Sequence, residues 1–172
     1  MNRILIIGIS GSGKSTFANK LGKTLKREVI HLDKVYYPHP FRWEHTQSRD
    51  EWKQTVRNLV VKNKWIIDGH YNSTLSIRIP RADIIIFFNF SKILCLYRVC
   101  KRALDKTQPF DKAEGNFNRL SYNLIKKIII FKKKKILKML EEYKNTKKIF
   151  VIKNSKEAEY LIKELTGVNL PG

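Results

Sequence analysis

Short apolar runs alternate along the chain with longer stretches in which apolar residues recur at helical spacing. This alternation is typical of β-strands joined by α-helices, and it predicts an α/β fold with a parallel sheet. The apolar runs predict five strands, at residues 4–7, 28–32, 65–67, 84–88 and 149–152.

The stretches between the strands predict five helices. These helices follow Lys14, begin at Ser48, follow Ser91, extend from about residue 118 to 143, and follow Ser155. Ser48 and Glu51 have the spacing of an N-terminal capping box, which marks where the second helix begins.

The longest predicted helix contains the most basic segment of the chain, residues 125–137, which read IKKIIIFKKKKIL. Ile125, Ile129, Ile136 and Leu140 recur at helical spacing, so we expect one face of this helix to pack on the sheet. The lysines then form a solvated outer face, or they bind nucleic acid or anionic lipid.

Composition limits the class of protein. The 172 residues, of which 42% are hydrophobic and 29% charged, fit one globular domain over residues 1–172. The longest apolar run, residues 84–88, is far shorter than the roughly 20 residues that cross a bilayer. No cleavage-site pattern follows the first apolar run. We therefore expect a cytoplasmic protein without a membrane partner.

The chain is strongly basic, with 35 lysines and arginines against 15 acidic residues and a net charge of +20. Such a charge indicates an anionic partner, namely nucleic acid, an anionic membrane surface or a phosphorylated substrate, or it reflects only a lysine-rich genomic composition. Charge alone gives no specificity, so nucleic-acid binding stays an open alternative.

Residues 8–15 read GISGSGKS directly after the first predicted strand. They match the P-loop pattern G-x-x-x-x-G-K-[ST], in which backbone N–H groups and a helix N-terminus surround phosphate oxygens. Lys14 would bridge the β- and γ-phosphates of ATP, and Ser15 would ligate Mg²⁺. The predicted ATP-binding residues are Gly8, Ser10, Gly11, Ser12, Gly13, Lys14, Ser15 and Thr16.

A P-loop alone does not separate kinases from GTPases and transport ATPases. The guanine-reading Asn-Lys-x-Asp element is absent, because Asn63-Lys64 is followed by Trp65-Ile66. No Leu-Ser-Gly-Gly transporter signature occurs, and the chain is short for a helicase core. The sequence therefore favours a small kinase that uses ATP and Mg²⁺ and has a small-molecule acceptor.

Two carboxylates follow predicted strands. Asp68 ends the third strand and could hold Mg²⁺ through water if that strand neighbours the first. Asp33 follows the second strand and could accept the proton of an attacking hydroxyl, with Tyr36 and Tyr37 as an aromatic wall for a ring-shaped acceptor. Each aspartate could instead cap a turn.

Arg98 and Arg102 lie four residues apart on one predicted helix face. The polar segment near 103–120 follows them and is predicted to form a lid, so the arginines could neutralise charge on a transferred phosphoryl group. A solvated surface pair is the alternative. His70 is the histidine nearest to this site and is either a substrate contact or a surface side chain.

Six segments together resemble the bacterial DNA topology modulation protein family, which is similar to the adenylate-kinase-like P-loop kinases. The segments are GISGSGKST at 8–16, HLDK at 31–34, WIIDGHY at 65–71, RADIIIFF at 81–88, LCLYRVCKR at 94–102 and EG at 114–115. The resemblance implies a three-layer P-loop NTPase fold with a five-stranded parallel sheet in the order 2-3-1-4-5, ATP at the strands' C-terminal ends, and a small helical lid.

The resemblance also implies roles for single residues. Asp68 resembles the acidic residue that closes the third strand in adenylate kinase, and Asp33 resembles the acidic residue beside an acceptor hydroxyl. Arg98 and Arg102 resemble lid arginines. Arg78 resembles an arginine that reaches an acceptor phosphate.

The predicted acceptor-binding residues are Asp33, Tyr36, His70, Tyr71 and Arg78. Two positions depart from the family, which usually has an arginine at Gln108 and often an acid at Asn89. Loss of a lid arginine weakens charge neutralisation, so ATP binding is predicted more firmly than catalysis.

Two functions follow from these observations. The first is a kinase that phosphorylates a nucleoside or nucleotide-like molecule, with Lys14, Asp33, Arg98 and Arg102 as catalytic residues. The alternative is a nucleic-acid-associated ATPase or regulator that modulates DNA topology through its basic face. The sequence identifies neither the acceptor nor the oligomeric state.

Overall fold

The computed structural model describes residues 2–37, 47–104 and 122–167. Five strands form one sheet, and every neighbouring pair is parallel. The strands are β1 (Arg3–Gly8), β2 (Val29–His31), β3 (Trp65–Asp68), β4 (Ile84–Phe88) and β5 (Lys148–Ile152). Their order, β2-β3-β1-β4-β5, confirms the order that the family resemblance implies.

Eight α-helices occur in the described residues, and a 3₁₀ turn at Asn72–Thr74 precedes the fourth. The helices are α1 (Lys14–Thr24), α2 (Leu32–Tyr36), α3 (Arg49–Val61), α4 (Leu75–Arg78), α5 (Lys92–Leu104), α6 (Tyr122–Ile129), α7 (Lys133–Glu141) and α8 (Ser155–Thr166). The predicted capping box is confirmed, since the Ser48 hydroxyl accepts the Glu51 N–H and the Glu51 carboxylate accepts the Ser48 N–H.

The sheet separates two hydrophobic cores because successive strand residues point to opposite faces. Ile4 and Ile6 of β1 belong to the first core, and Leu5 and Ile7 belong to the second. The first core packs against α1, α5, α6 and α8. The second core packs against α3, α4 and α7. The result is the expected three-layer architecture.

The single helix predicted over residues 118–143 is wrong in its described part. The structure has two helices there, and residues 130–132 between them are not helical. Ile128 of α6 is buried in the first core, whereas Ile136 and Leu140 of α7 are buried in the second. The helix has to break because its apolar residues pack on opposite sides of the sheet. Ile129, expected on the packed face, is 55% exposed.

The second strand is shorter than the predicted 28–32. It ends at His31, and Asp33 lies in the short helix α2 instead of at the end of the strand. The predicted lid at 103–120 lies almost entirely outside the described residues. No helix within the described ranges is both long and apolar enough to span a membrane.

Candidate functional site

A cavity of about 980 Å³ lies at the C-terminal edge of the sheet. Its walls come from the glycine-rich turn after β1, the loop after β3, the helix α5 and the corner between α6 and α7. Parallel strands open their loops at this edge, which is where ligands bind in open α/β sheets. The cavity is large enough for a nucleotide-sized ligand.

Glycines let the turn after β1 pack closely against α5. Gly11 has φ +79°, and a Cβ atom there would lie 2.6 Å from the Cys95 carbonyl oxygen and 2.9 Å from Val99 Cγ2. Gly13 has φ +90° and precedes α1, whose N-terminus has no side-chain cap. The first N–H groups of α1 are therefore available to an anion, as in a phosphate-binding loop.

Some residues of the glycine-rich turn form hydrogen bonds within the turn, and others line the cavity. The Ser12 hydroxyl donates to the Ile9 carbonyl at 2.7 Å and is buried away from the cavity, so it closes the turn. Lys14 Nζ donates to the same carbonyl at 3.0 Å. The residues of this turn that line the cavity are Gly8, Ile9, Ser10, Gly11, Gly13, Lys14, Ser15 and Thr16.

Asp68 lines the cavity and contacts a buried histidine through one of its carboxylate oxygens. Its Oδ2 lies 3.1 Å from His31 Nδ1, and His31 Nε2 lies 2.8 Å from Asn19 Oδ1. Its Oδ1 is buried and has no hydrogen-bond partner among the described residues. Sequence reasoning missed His31, although the β2–β3 register places it directly beside Asp68.

Ser15 and Asp68 line the same cavity and fit a magnesium site. A free carboxylate oxygen and a hydroxyl are hard oxygen ligands, and Mg²⁺ usually takes one or two protein ligands together with substrate phosphates and water. The described residues contain no group of three His, Cys, Asp or Glu side chains that could hold a metal by themselves. As far as the described residues are concerned, a metal here would take its further ligands from the nucleotide and from water.

Asp33 and Tyr71 form a hydrogen-bonded pair on the cavity wall. The Tyr71 hydroxyl donates to Asp33 Oδ1 at 2.6 Å. Burial, together with the charge of Asp33, raises the pKa of Tyr71 well above its usual value, so the phenol stays protonated. Tyr37 also lines the cavity, but Tyr36 does not. Tyr36 packs behind the wall with ring centroids 4.8 Å from Trp52 and 5.2 Å from Tyr71.

Arg78 is completely buried and does not line the cavity. Its guanidinium donates to the carbonyls of Gly69 at 2.6 Å, His70 at 2.5 Å, Tyr71 at 3.0 Å and Thr74 at 3.3 Å. Burial lowers the pKa of Arg78 to about 9, which leaves it charged at neutral pH. The structure thus gives Arg78 a different task from the expected contact with an acceptor phosphate: it fixes the loop after β3.

His70 lines the cavity as a neutral imidazole. Burial, assisted by the positive charges of Lys14 and Arg78, lowers the pKa of His70 to about 3. Its ring contacts Phe131 at the α6–α7 corner, with centroids 4.7 Å apart. His70 therefore adds no charge to the cavity at physiological pH.

Arg98 and Arg102 both line the cavity from α5. Arg98 donates to the Ser12 carbonyl at 3.5 Å and to the Ser155 hydroxyl at 3.2 Å, so it links the glycine-rich turn to the start of α8. Its guanidinium lies 5.2 Å from the Phe90 ring centroid. Asn89 does not line the cavity, and Gln108 lies outside the described residues.

Three lysines of the basic segment also line the cavity, namely Lys127, Lys132 and Lys135. Sequence reasoning assigned these lysines to an outer face or to a polyanion surface. The sequence pattern did not show the corner between α6 and α7, which directs part of the basic segment towards the cavity.

Two kinases of known structure are similar to this chain across nearly its whole length. Shikimate kinase from Acinetobacter baumannii in complex with shikimate has a TM-score of 0.58 and 18% sequence identity, over 96% of this chain and 90% of that one. Deoxyadenosine kinase from M. mycoides with bound dCTP has a TM-score of 0.50 and 16% identity, over 96% of this chain and 99% of that one.

The chain has a P-loop kinase fold, with five parallel strands in the order 2-3-1-4-5 between layers of helices. At this level of identity the likeness concerns the fold alone. No protein-family model matches the chain, and no curated protein matches it significantly. Membership of the DNA topology modulation family therefore stays a prediction, whereas the P-loop kinase fold is confirmed.

Proposed function

We propose that this protein is a kinase that transfers the γ-phosphoryl group of ATP to a small molecule. The observation that supports this proposal most is one cavity that holds both Lys14, at the phosphate-binding turn, and the Asp33–Tyr71 pair. Its kinase-like fold is consistent with the same function, since active sites of this fold lie at the same sheet edge.

The donor side of the cavity binds the triphosphate. The N–H groups of the glycine-rich turn and Lys14 surround the phosphates, and Ser15 and Asp68 would hold Mg²⁺, which supplies neutralisation of phosphate charge. Arg98 and Arg102 stabilise the charge that develops on the transferred group. Lys14 leaves the Ile9 carbonyl to make these contacts.

The acceptor side activates a hydroxyl. The oxygen of the acceptor hydroxyl bonds to the γ-phosphorus, while the bond between this phosphorus and the β–γ bridging oxygen breaks and ADP leaves. Asp33 accepts the proton that the hydroxyl loses. Tyr71 donates to one Asp33 oxygen, and this hydrogen bond restricts the orientation of the carboxylate. Tyr37 and Tyr71 supply aromatic surface beside this carboxylate.

Asp33→Asn tests this assignment. It removes the base, so acceptor-dependent ADP release should fall by about 10²–10⁴-fold while ATP affinity stays within a few-fold. Lys14→Ala should weaken the binding of an ATP analogue as well as turnover. Nucleosides, nucleotides, small alcohols, deoxyadenosine and shikimate make a suitable acceptor panel.

Asp50→Asn is the matched control, because Asp50 is an exposed residue of α3 outside the cavity. It should keep full activity. An Asp33→Asn protein that turns over at the wild-type rate would remove Asp33 as the base. Ordinary ATP binding by Lys14→Ala would contradict the donor site itself.

The alternative function, a nucleic-acid-associated ATPase that modulates DNA topology, rests on the net charge of +20. The arrangement of residues around the cavity is accounted for by a nucleotide and a small acceptor, without a nucleic-acid ligand. The two functions separate in one assay: a kinase releases ADP in response to a small acceptor without DNA, whereas the alternative requires DNA-stimulated hydrolysis that weakens steeply with salt.

A further inference from the structure

The cavity has more positive charge than one triphosphate explains. Among its described lining residues six are cationic and two are carboxylates. The cations are Lys14, Arg98, Arg102, Lys127, Lys132 and Lys135, and the carboxylates are Asp33 and Asp68. In a kinase that uses MgATP, the metal and these cations together exceed the charge of the nucleotide, so the cavity has positive charge left over.

Two of these cations lie on the acceptor side. Helix α7 packs in the second core, together with Leu75 and the ring of Tyr71, through Ile136 and Leu140. The glycine-rich turn, α1 and α5 pack in the first core. Lys132 and Lys135 therefore come from the same side of the sheet as the loop that holds Tyr71, and not from the side that binds the donor.

The positions of α7 and of its N-cap residue that line the cavity form one stripe. They are Lys132, Lys135, Ile136 and Met139. Spacings of three, four and seven residues place them on one face. Lys134 and Lys138 of α7 are exposed like Lys132 and Lys135, but they do not line the cavity. The basic segment thus contains lysines with distinct surroundings.

The corner that presents this stripe is fixed by two other lysines. Lys133 Nζ donates to the Phe90 carbonyl, and Lys92 Nζ donates to the Ile129 carbonyl. These bonds tie both sides of the corner to the segment that follows β4. Lys132 and Lys135 are consequently held at the cavity by a fixed backbone.

Neither Lys132 nor Lys135 forms an ion pair with any carboxylate in the described ranges. We propose that the phosphoryl acceptor itself has an anionic group, a phosphate or a carboxylate, which Lys132 and Lys135 bind while its hydroxyl lies at Asp33. This inference rests on the proposed kinase function and names the class of its substrate.

A binding experiment tests the proposal without knowledge of the acceptor. The protein is saturated with Mg²⁺ and a non-hydrolysable ATP analogue, and inorganic phosphate or acetate is then titrated while amide shifts are followed by NMR. Phosphate should shift residues of α7 and of the loop after β3. The double variant Lys132→Gln/Lys135→Gln should raise the phosphate dissociation constant about tenfold, because two exposed ion pairs are lost.

The matched control is Lys134→Gln/Lys138→Gln, which removes the same charge from the same helix outside the cavity. Its phosphate dissociation constant should stay within about twofold of wild type, apart from the general effect of net charge. Equal phosphate binding by both double variants, or shifts confined to the glycine-rich turn, would overturn the proposal.

A turnover experiment identifies the anion. Each neutral acceptor is paired with its charged derivative: nucleosides with their 5′-monophosphates, sugars with sugar phosphates, and cyclic polyols with carboxylated ones. The charged member should have the higher kcat/KM, and Lys132→Gln/Lys135→Gln should raise its KM about tenfold with little change in kcat. A preference for phosphates or for carboxylates then identifies the source of the charge.

The two proposals fail in different ways. If the ATP analogue does not bind, the proposed function fails whatever the lysines do. If the analogue binds and a neutral acceptor turns over as well as its charged partner, the kinase function stands and the anionic acceptor is ruled out.

Discussion

Gly11 lies where the phosphate-binding turn contacts the backbone of α5. A Cβ atom there would approach the Cys95 carbonyl oxygen to 2.6 Å. Gly167, the C-cap of α8, has a similar positive φ of +65°, but a Cβ atom at that position would have no heavy atom of another described residue within 4 Å, its chain neighbours aside. An alanine at Gly167 would therefore test backbone strain alone, whereas an alanine at Gly11 would add steric overlap to that strain.

We expect Gly167→Ala to lower the free energy of unfolding by about 1 kcal/mol, the cost of a left-handed non-glycine residue. Gly11→Ala should cost about 2 kcal/mol more, because the turn has to move away from α5. It should also weaken ATP-analogue binding. Urea unfolding and calorimetric titration measure both effects. Equal losses in the two variants would show that the overlap is relieved without moving the turn.

Arg78 binds the loop that positions Tyr71. Tyr71 has φ +29°, an unfavourable conformation for a non-glycine residue, and the Arg78 bonds to the carbonyls of residues 69–71 hold it there. Arg78→Leu leaves these buried carbonyls without donors and should lower the free energy of unfolding by about 3 kcal/mol.

Arg81→Leu is the control for Arg78→Leu. Arg81 is exposed, and its guanidinium donates one weak hydrogen bond to the Val60 carbonyl at 3.4 Å. Loss of this side chain should change the unfolding free energy by less than about 0.5 kcal/mol. Arg78→Lys, which keeps the charge but has fewer donors, should fall between the two in urea unfolding. Similar stabilities for all three variants would contradict the role given to Arg78.

At the scale of elements, the hydrophobic pattern predicts all five strands and the longer helices. The strands are continuous apolar runs because the sheet is covered on both faces. Helices α2 and α4 are five and four residues long, too short to show a helical period. No proline or glycine marks the break between α6 and α7. The break arises because the apolar residues of α6 pack in the first core and those of α7 pack in the second.

Asp83 joins the starts of neighbouring strands. It accepts the N–H groups of Asn2 and Arg3 and two guanidinium bonds from Arg3, one at 2.6 Å. These bonds, chiefly those of the Arg3 side chain, lower the pKa of Asp83 below its ordinary value of 3.8. The stabilisation is therefore complete above about pH 4 and is lost as pH falls through the lowered pKa.

We expect Asp83→Asn to lower the free energy of unfolding by about 1 kcal/mol between pH 5 and 7, a modest value because the pair is one-third exposed. The difference from wild type should shrink below about pH 4, where the wild-type carboxylate also becomes neutral. Urea unfolding at several pH values measures this. A difference that grows towards acid pH would have the wrong sign for a lowered pKa.

For the whole molecule, the donor side of the site is local in sequence and the acceptor side is not. One contiguous motif specifies the phosphate-binding turn, so its residues could be named from the sequence. The roles of Arg78, Lys132 and Lys135 depend on the direction in which a buried side chain points and on a corner that sequence spacing does not show. His31 likewise becomes recognisable only when the register of β2 against β3 is known, which pairs it with Asp68.

The net charge of +20 acts on the entire fold. Like charges repel in the compact state, and added salt screens them over about 10 Å at 0.1 M. Raising NaCl from about 20 mM to about 200 mM should therefore increase the melting temperature by a few degrees. Thermal unfolding followed by circular dichroism measures it. A melting temperature that falls with salt would show that attractive ion pairs outweigh the repulsion.

Phe131, at the corner between α6 and α7, packs against both hydrophobic cores and against the His70 ring. A change at this one position would thus disturb two interiors and the pocket simultaneously. We expect evolution to accept few amino acids there, fewer than its half-buried surface suggests, and a saturation library should show the same narrow tolerance.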